Sequence, residues 1–85
     1  MAATLTVVGT ERHGHVQKVH GTFTAAANEN TASVTGFALV TDYGFTLDSD
    51  LAGFAPKAVL SGDTLTWTFD DLPHAMTGRW FVEGR

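Results

Sequence analysis

The segment Thr64–Asp70 constrains the fold of this chain most strongly. It reads Thr-Leu-Thr-Trp-Thr-Phe-Asp, so Leu65, Trp67 and Phe69 alternate strictly with short polar residues. Successive side chains of an extended chain point to opposite faces, so this pattern predicts a β-strand with one apolar and one polar face. A Ser-Gly-Asp turn at 61–63 predicts a hairpin with the preceding strand. Because an isolated hairpin is not stable in water, other strands must cover the apolar face.

Short extended segments of this kind recur along the whole chain at roughly ten-residue spacing, with no long helical periodicity. The predicted strands cover residues 4–10, 15–25, 33–48, 57–60, 64–70 and 77–83. The third of these is expected to be one long strand, or two strands separated by a kink at Gly44. The sequence therefore predicts a small all-β fold, an antiparallel β-sandwich or barrel of six to seven strands.

The chain is expected to form one domain over residues 1–85, with residues 1–8 as an extended N-terminal arm or an edge strand. Leu5 and Val7 share one face of this first segment. If the segment is an arm, it can be removed without loss of the fold. The polar stretch Glu11-Arg-His-Gly14 is expected to be the turn that follows.

Two strand patterns carry further expectations. Gly21 lies inside the second strand, which indicates a bulge or a closely approaching neighbour. Phe37 and Leu39 are expected to share a face in the third strand.

The last strand has apolar residues on both faces. Trp80 and Val82 lie on one face and Phe81 on the other. This pattern predicts a central strand, or a strand whose outer face meets a partner.

Composition limits how a domain of this size is stabilised. The chain has 85 residues and no Cys, which excludes disulfides and thiolate metal sites. Association with other chains, or a site built from His and carboxylates, remains open. With 44% hydrophobic residues, including six Phe and two Trp, the sequence can form a core.

Charge argues against binding to nucleic acid. Five Lys and Arg stand against nine Asp and Glu, giving a net charge of −4, so there is no basic cluster to grip phosphates. Between residues 42 and 71 six Asp accompany one Lys, which indicates either an acidic surface or solvated turns. No apolar run approaches the ~20 residues of a membrane span, and the first residues lack the pattern of a signal peptide.

The histidines are the residues that most suggest a metal. His13 and His15 are two apart, so they point to the same side of a strand, as a pair of ligands requires. His20 is five residues further on and has the opposite parity unless a bulge intervenes. The sequence therefore favours surface histidines at a hairpin tip, and no cofactor or metal is expected.

Catalysis is not expected either. Ser33, Ser49 and Ser61 lie in or beside loops, none in the sharp strand-to-helix turn of a nucleophile, and there is no thiol. A chain of this size also has little room for a substrate pocket. Arg79 beside two aromatic residues is the only candidate for a nucleic-acid platform, and it is interpreted as a solvated residue next to the core.

Three stretches together resemble a known group of proteins. They are Gly21-Thr-Phe-Thr24, Thr35-Gly-Phe-Ala-Leu-Val40 and Thr77-Gly-Arg-Trp-Phe-Val-Glu-Gly-Arg85, in this order in a Cys-free chain. This layout resembles the small all-β virion proteins of tailed bacteriophages, in particular capsid decoration or cement proteins.

The resemblance implies a mechanical role without catalysis. Such proteins bind the outer face of an icosahedral head, often as trimers or dimers, and stabilise contacts between major capsid subunits. The implied partner is the major capsid protein, and the implied location is the outer surface of the virion after synthesis in the host cytoplasm. The residues expected to contact the partner are Leu5, Val7, Val8, Trp80 and Phe81.

Two alternatives stay open from the sequence. One is a structural component of the phage tail or of the head–tail junction. The other is a small β binding module, or a metal-dependent enzyme, with a metal site at His13, His15 and His20.

Overall fold

The computed structural model of this protein describes residues 2–49 and 51–85, and these residues form β-strands and connecting loops. The strands are β1 (Thr4–His13), β2 (Val16–Ala25), β3 (Thr31–Thr35), β4 (Val40–Leu47), β5 (Lys57–Ser61), β6 (Thr64–Thr68) and β7 (Met76–Gly84). They form a four-stranded sheet of order β1-β2-β7-β4 and a three-stranded sheet of order β3-β6-β5, and every strand pair is antiparallel. The predicted all-β fold is confirmed, and the two sheets pack as a sandwich. None of the described residues form a helix with the length and apolar character of a membrane span.

The hairpin predicted from the central alternating segment is present as β5 and β6. Ser61 pairs with Thr64, and Gly62 takes a φ of 62° in the turn between them. Leu65 and Trp67 are 2% and 0% exposed, so the apolar face of β6 is buried as the alternation predicts.

Aromatic side chains fill the space between the two sheets. Phe45 of β4 stacks on Phe23 of β2, with ring centroids 4.2 Å apart. Trp67 of β6, in the opposite sheet, lies 5.1 Å from Phe45, and Phe69, just after the end of β6, lies 5.4 Å from it. The core therefore centres on Phe45, where rings from both sheets meet.

The prediction for residues 33–48 is corrected by the structure. The chain forms two strands in different sheets, and it passes between them at 36–39 rather than kinking at Gly44. Gly36 has a φ of 105°, a conformation that glycine adopts without steric cost. Phe37 is 1% exposed and Leu39 is 43% exposed, so the expectation that they share a face is wrong. An irregular connection does not preserve the alternation of a strand.

The first strand is longer than predicted and is not a free arm. Backbone pairing with β2 runs from Thr4 to His13, so the turn falls at 14–15 rather than at 11–14. Ala3 N–H also donates to the carbonyl of Thr31 in β3 (2.7 Å), and Leu5 packs against the core. Residues 4–8 therefore belong to an edge strand that is fixed to the fold.

The last strand is central, as its two apolar faces predict. β7 lies between β2 and β4, with Val82 fully buried on the inner face. Beside it, Gly21 of β2 is a site of close approach: a Cβ atom there would clash with the backbone carbonyl of Thr6 in β1. This accounts for a glycine in the middle of a strand.

Candidate functional site

The edge strand β1 carries the most exposed apolar side chains on the four-stranded sheet. Val7 is 57% exposed and Val8 is 65% exposed. Val7 pairs with Gly21 and Gly9 pairs with His20, so Val8 is the extra residue of a β-bulge. We refer to Val7 and Val8 as the β1 edge patch.

The segment of β1 that holds the β1 edge patch is uncharged. From Thr4 to Thr10 β1 has no ionisable side chain, and its first charged residue is Glu11. Apart from the contact of Ala2 and Ala3 with Thr31 at its start, no strand of the described residues pairs with the outer side of β1, so the backbone there can hydrogen-bond to a partner. Natural sheets often protect such an edge with charges or proline, and β1 has neither from Thr4 to Thr10.

Other exposed apolar residues are more isolated. Tyr43 is 47% exposed on β4, the other edge of the same sheet. Val59 is 64% exposed on β5, an edge of the three-stranded sheet, and Lys57 lies two residues away on the same face. Two adjacent exposed apolar side chains on one strand therefore distinguish β1.

Of the other predicted contact residues, Leu5 and Trp80 are not freely exposed. Leu5 is half-buried against the core. Trp80 is 2% exposed, and its Nε1–H donates to the carbonyl of Thr22 (3.0 Å). The prediction that Trp80 offers an exposed contact surface is wrong, because β7 is central and the second sheet covers its inner face; Trp67 of β6 lies 6.3 Å away.

Phe81 points to the other side of β7, where it lies on the open face of the four-stranded sheet. The strand register places Gly9, His20, Phe81 and Gly44 in one row across β1, β2, β7 and β4. Lys18 Nζ lies 5.0 Å from the centroid of the Phe81 ring, a cation–π geometry.

A shallow groove of about 360 Å³ runs across this face. We call it the outer groove. Its lining includes Glu11, Lys18, His20, Thr46, Arg79 and Phe81.

The three histidines of the alternative metal site do not come together. His13 and His15 lie exposed at the tip of the β1–β2 hairpin, and His13 Nε2 is 3.7 Å from Glu11 Oε2. His20 lies half-buried in the outer groove instead. Across residues 2–49 and 51–85, no three His, Cys, Asp or Glu side chains are grouped so as to hold a metal ion.

Sequence reasoning did not find Lys18 or Thr46. They come together only through the order β2-β7-β4, in which strands distant in sequence become neighbours. The available signal was that Lys18, His20 and Thr22 are polar residues at alternate positions of β2. This pattern indicates that one face of the strand is open, but it does not show which residues of other strands lie beside it.

Comparisons of the chain with protein-family models, with curated proteins and with solved structures give no match. What the chain does is therefore inferred from its surfaces and from the sequence resemblance.

Proposed function

We propose that this chain is a structural protein, without catalytic activity, that attaches to a larger repetitive protein assembly. Following the sequence resemblance, that assembly is the head of a tailed phage, and the partner is the major capsid protein on its outer surface. The observation that carries the proposal is the β1 edge patch: Val7 and Val8, adjacent and exposed on an uncharged edge strand.

An exposed edge strand can bind a partner by extending its sheet. The free N–H and C=O groups of β1 supply hydrogen bonds, and side chains on alternate positions supply specificity. Burying a valine side chain completely contributes about 1.5–3 kcal/mol, so the two valines together can stabilise a weak but specific contact. Repetition of the contact over many capsid subunits would raise the overall affinity through avidity.

Such a protein would stabilise the shell by bridging neighbouring subunits. Bridging requires either two contact surfaces on one copy or the association of several copies. The trimer or dimer that the resemblance implies would provide this association. The Asp-rich loops between residues 42 and 71 then face solvent, where their charge limits contact between particles.

Substitution of the β1 edge patch tests the proposal. Val8→Lys places a charge on the edge without touching the core, so we expect stability to change by less than about 0.5 kcal/mol. Binding to purified heads, measured by co-sedimentation, should weaken by about tenfold or more, which corresponds to about 1.4 kcal/mol.

Val59→Lys is the matched control, because Val59 is also about two-thirds exposed, at 64%, on an edge strand, but of the other sheet. It should bind heads like the unmodified chain. Equal binding by all three proteins would contradict the proposal. Binding to purified tails in place of heads would instead support the tail or head–tail alternative.

A further inference from the structure

The outer groove has a built floor that the proposed attachment to a capsid does not use. Gly9 and Gly44 stand at the two ends of the row that contains His20 and Phe81. A Cβ atom at Gly9 would lie 2.7 Å from His20 Nε2, and one at Gly44 would clash with the Phe81 ring. The His20 ring therefore lies over Gly9, and the Phe81 ring lies over Gly44. Both rings can take these positions because the glycines have no side chain.

Among the described residues, the Lys18 ammonium has no carboxylate within salt-bridge distance. Lys18 is directly opposite Glu11 on one side and Glu83 on the other. The close contacts of carboxylates with basic side chains, however, join Glu11 with His13 and Asp48 with Arg79, and neither includes Lys18. The Lys18 ammonium instead lies 5.0 Å from the Phe81 centroid, inside the groove. It is positioned to receive an anion next to a flat apolar surface.

The remaining lining groups suit a hydroxylated ligand. Glu11 offers carboxylate oxygens as acceptors, while His20 and Thr46 can each donate or accept a hydrogen bond. Arg79 lies at the other side of the groove, and its Nε is 3.6 Å from Asp48 Oδ1. The volume of about 360 Å³ is at the lower end of what small-ligand sites occupy.

We propose that the outer groove is a binding site for an acidic sugar unit. The apolar face of the sugar ring packs on Phe81 in place of the Lys18 ammonium, which swings aside to pair with the carboxylate or phosphate of the ligand. The sugar hydroxyls bond to Glu11, His20 and Thr46. This activity goes beyond attachment to a capsid, and it uses the open face of the sheet rather than the β1 edge patch.

The test is a titration of the ¹⁵N-labelled chain followed by NMR. The probes are glucuronate, glucose 6-phosphate, glucose and inorganic phosphate. We expect the amides of Gly21, Gly44 and Phe81 to shift with glucuronate, glucose 6-phosphate or both at millimolar concentration. Neutral glucose should bind at least about tenfold more weakly because it lacks the charged contact, and added salt should weaken binding of the acids.

Variants separate a built site from general charge attraction. Lys18→Gln should weaken binding about tenfold, while Lys57→Gln, on the outer face of the other sheet, should leave it unchanged. Phe81→Leu should also weaken binding, since a branched aliphatic side chain has no flat face. A response to glucuronate alone or to glucose 6-phosphate alone identifies the source of the charge.

Three results would overturn the assignment. They are a lack of response to every probe, an equal response to inorganic phosphate and to the sugar acids, and unchanged affinity in Lys18→Gln. Each leaves the capsid proposal untouched, because head binding is measured with the β1 edge patch variants.

Discussion

At the scale of single residues, Trp67 connects the two sheets. Its ring lies 5.1 Å from Phe45 and 6.3 Å from Trp80, both of the four-stranded sheet. Its Nε1–H is buried and has no acceptor among the described residues. A buried donor without a partner costs about 1–3 kcal/mol, so the indole nitrogen opposes the stability that the ring supplies.

Two substitutions of Trp67 separate these effects. Trp67→Ala leaves a cavity in the core and should lower the free energy of unfolding by about 3–5 kcal/mol. Trp67→Phe keeps an aromatic ring and removes the unsatisfied donor, so its loss should be less than half as large. Urea denaturation measures both, and similar losses for Phe and Ala would show that the nitrogen has a partner.

Gly21 has a steric role at the contact between β1 and β2. Gly21→Ala would place a methyl group against the Thr6 carbonyl, and backbone cannot move aside as a side chain can. We expect a loss of about 1–3 kcal/mol in the free energy of unfolding, from separation of β1 and β2. Thr22→Ala, at the next and exposed position, is the control and should change stability little. A neutral Gly21→Ala would mean that β1 is not held this closely.

At the scale of strands, β6 could be predicted from sequence and the region around Phe37 could not. The uninterrupted alternation of apolar and polar residues in β6 predicts one buried face. Phe37 is buried from a connection between sheets, where no period applies, so its burial had no local signal. Alternation also predicts that Trp80 and Phe81 lie on opposite faces of β7. Which of these faces is buried depends on where β6 packs, and the local sequence does not show this.

The edge strand shows the same limit. Leu5 and Val7 have the parity of a buried face, yet only Leu5 packs against the core, and the bulge at Val8 then shifts the pattern. A bulge inserts one residue and reverses parity beyond it, which a single sequence does not reveal. The outer groove could not be predicted from the sequence either, because its lining depends on which strands are neighbours in the sheet.

Because β1 is paired with β2 and tied to Thr31, its first half contributes to folding. We expect deletion of residues 1–8 to lower the free energy of unfolding by at least about 2 kcal/mol, through loss of Leu5 packing and of backbone hydrogen bonds. Thermal melting of the truncated and complete chains checks this. Equal melting temperatures would show that the segment behaves as a removable arm.

At the scale of the whole molecule, the fold is elongated, with extents of 40 × 23 × 19 Å. Its exposed large apolar side chains on strands lie on the outermost strands β1, β4 and β5. A small domain without disulfides gains from association, and the strand edges are where further strands can add. This distribution supports attachment through edges, with the open sheet face left for the proposed sugar site.

The copy number of this chain on purified phage particles tests the central claim most directly. Heads and tails of a phage that encodes the chain would be separated, and the chain quantified in each relative to its major protein. We expect it on heads, in a fixed ratio near one copy per one or a few capsid subunits. A chain that stays monomeric in solution and is absent from heads would contradict the account.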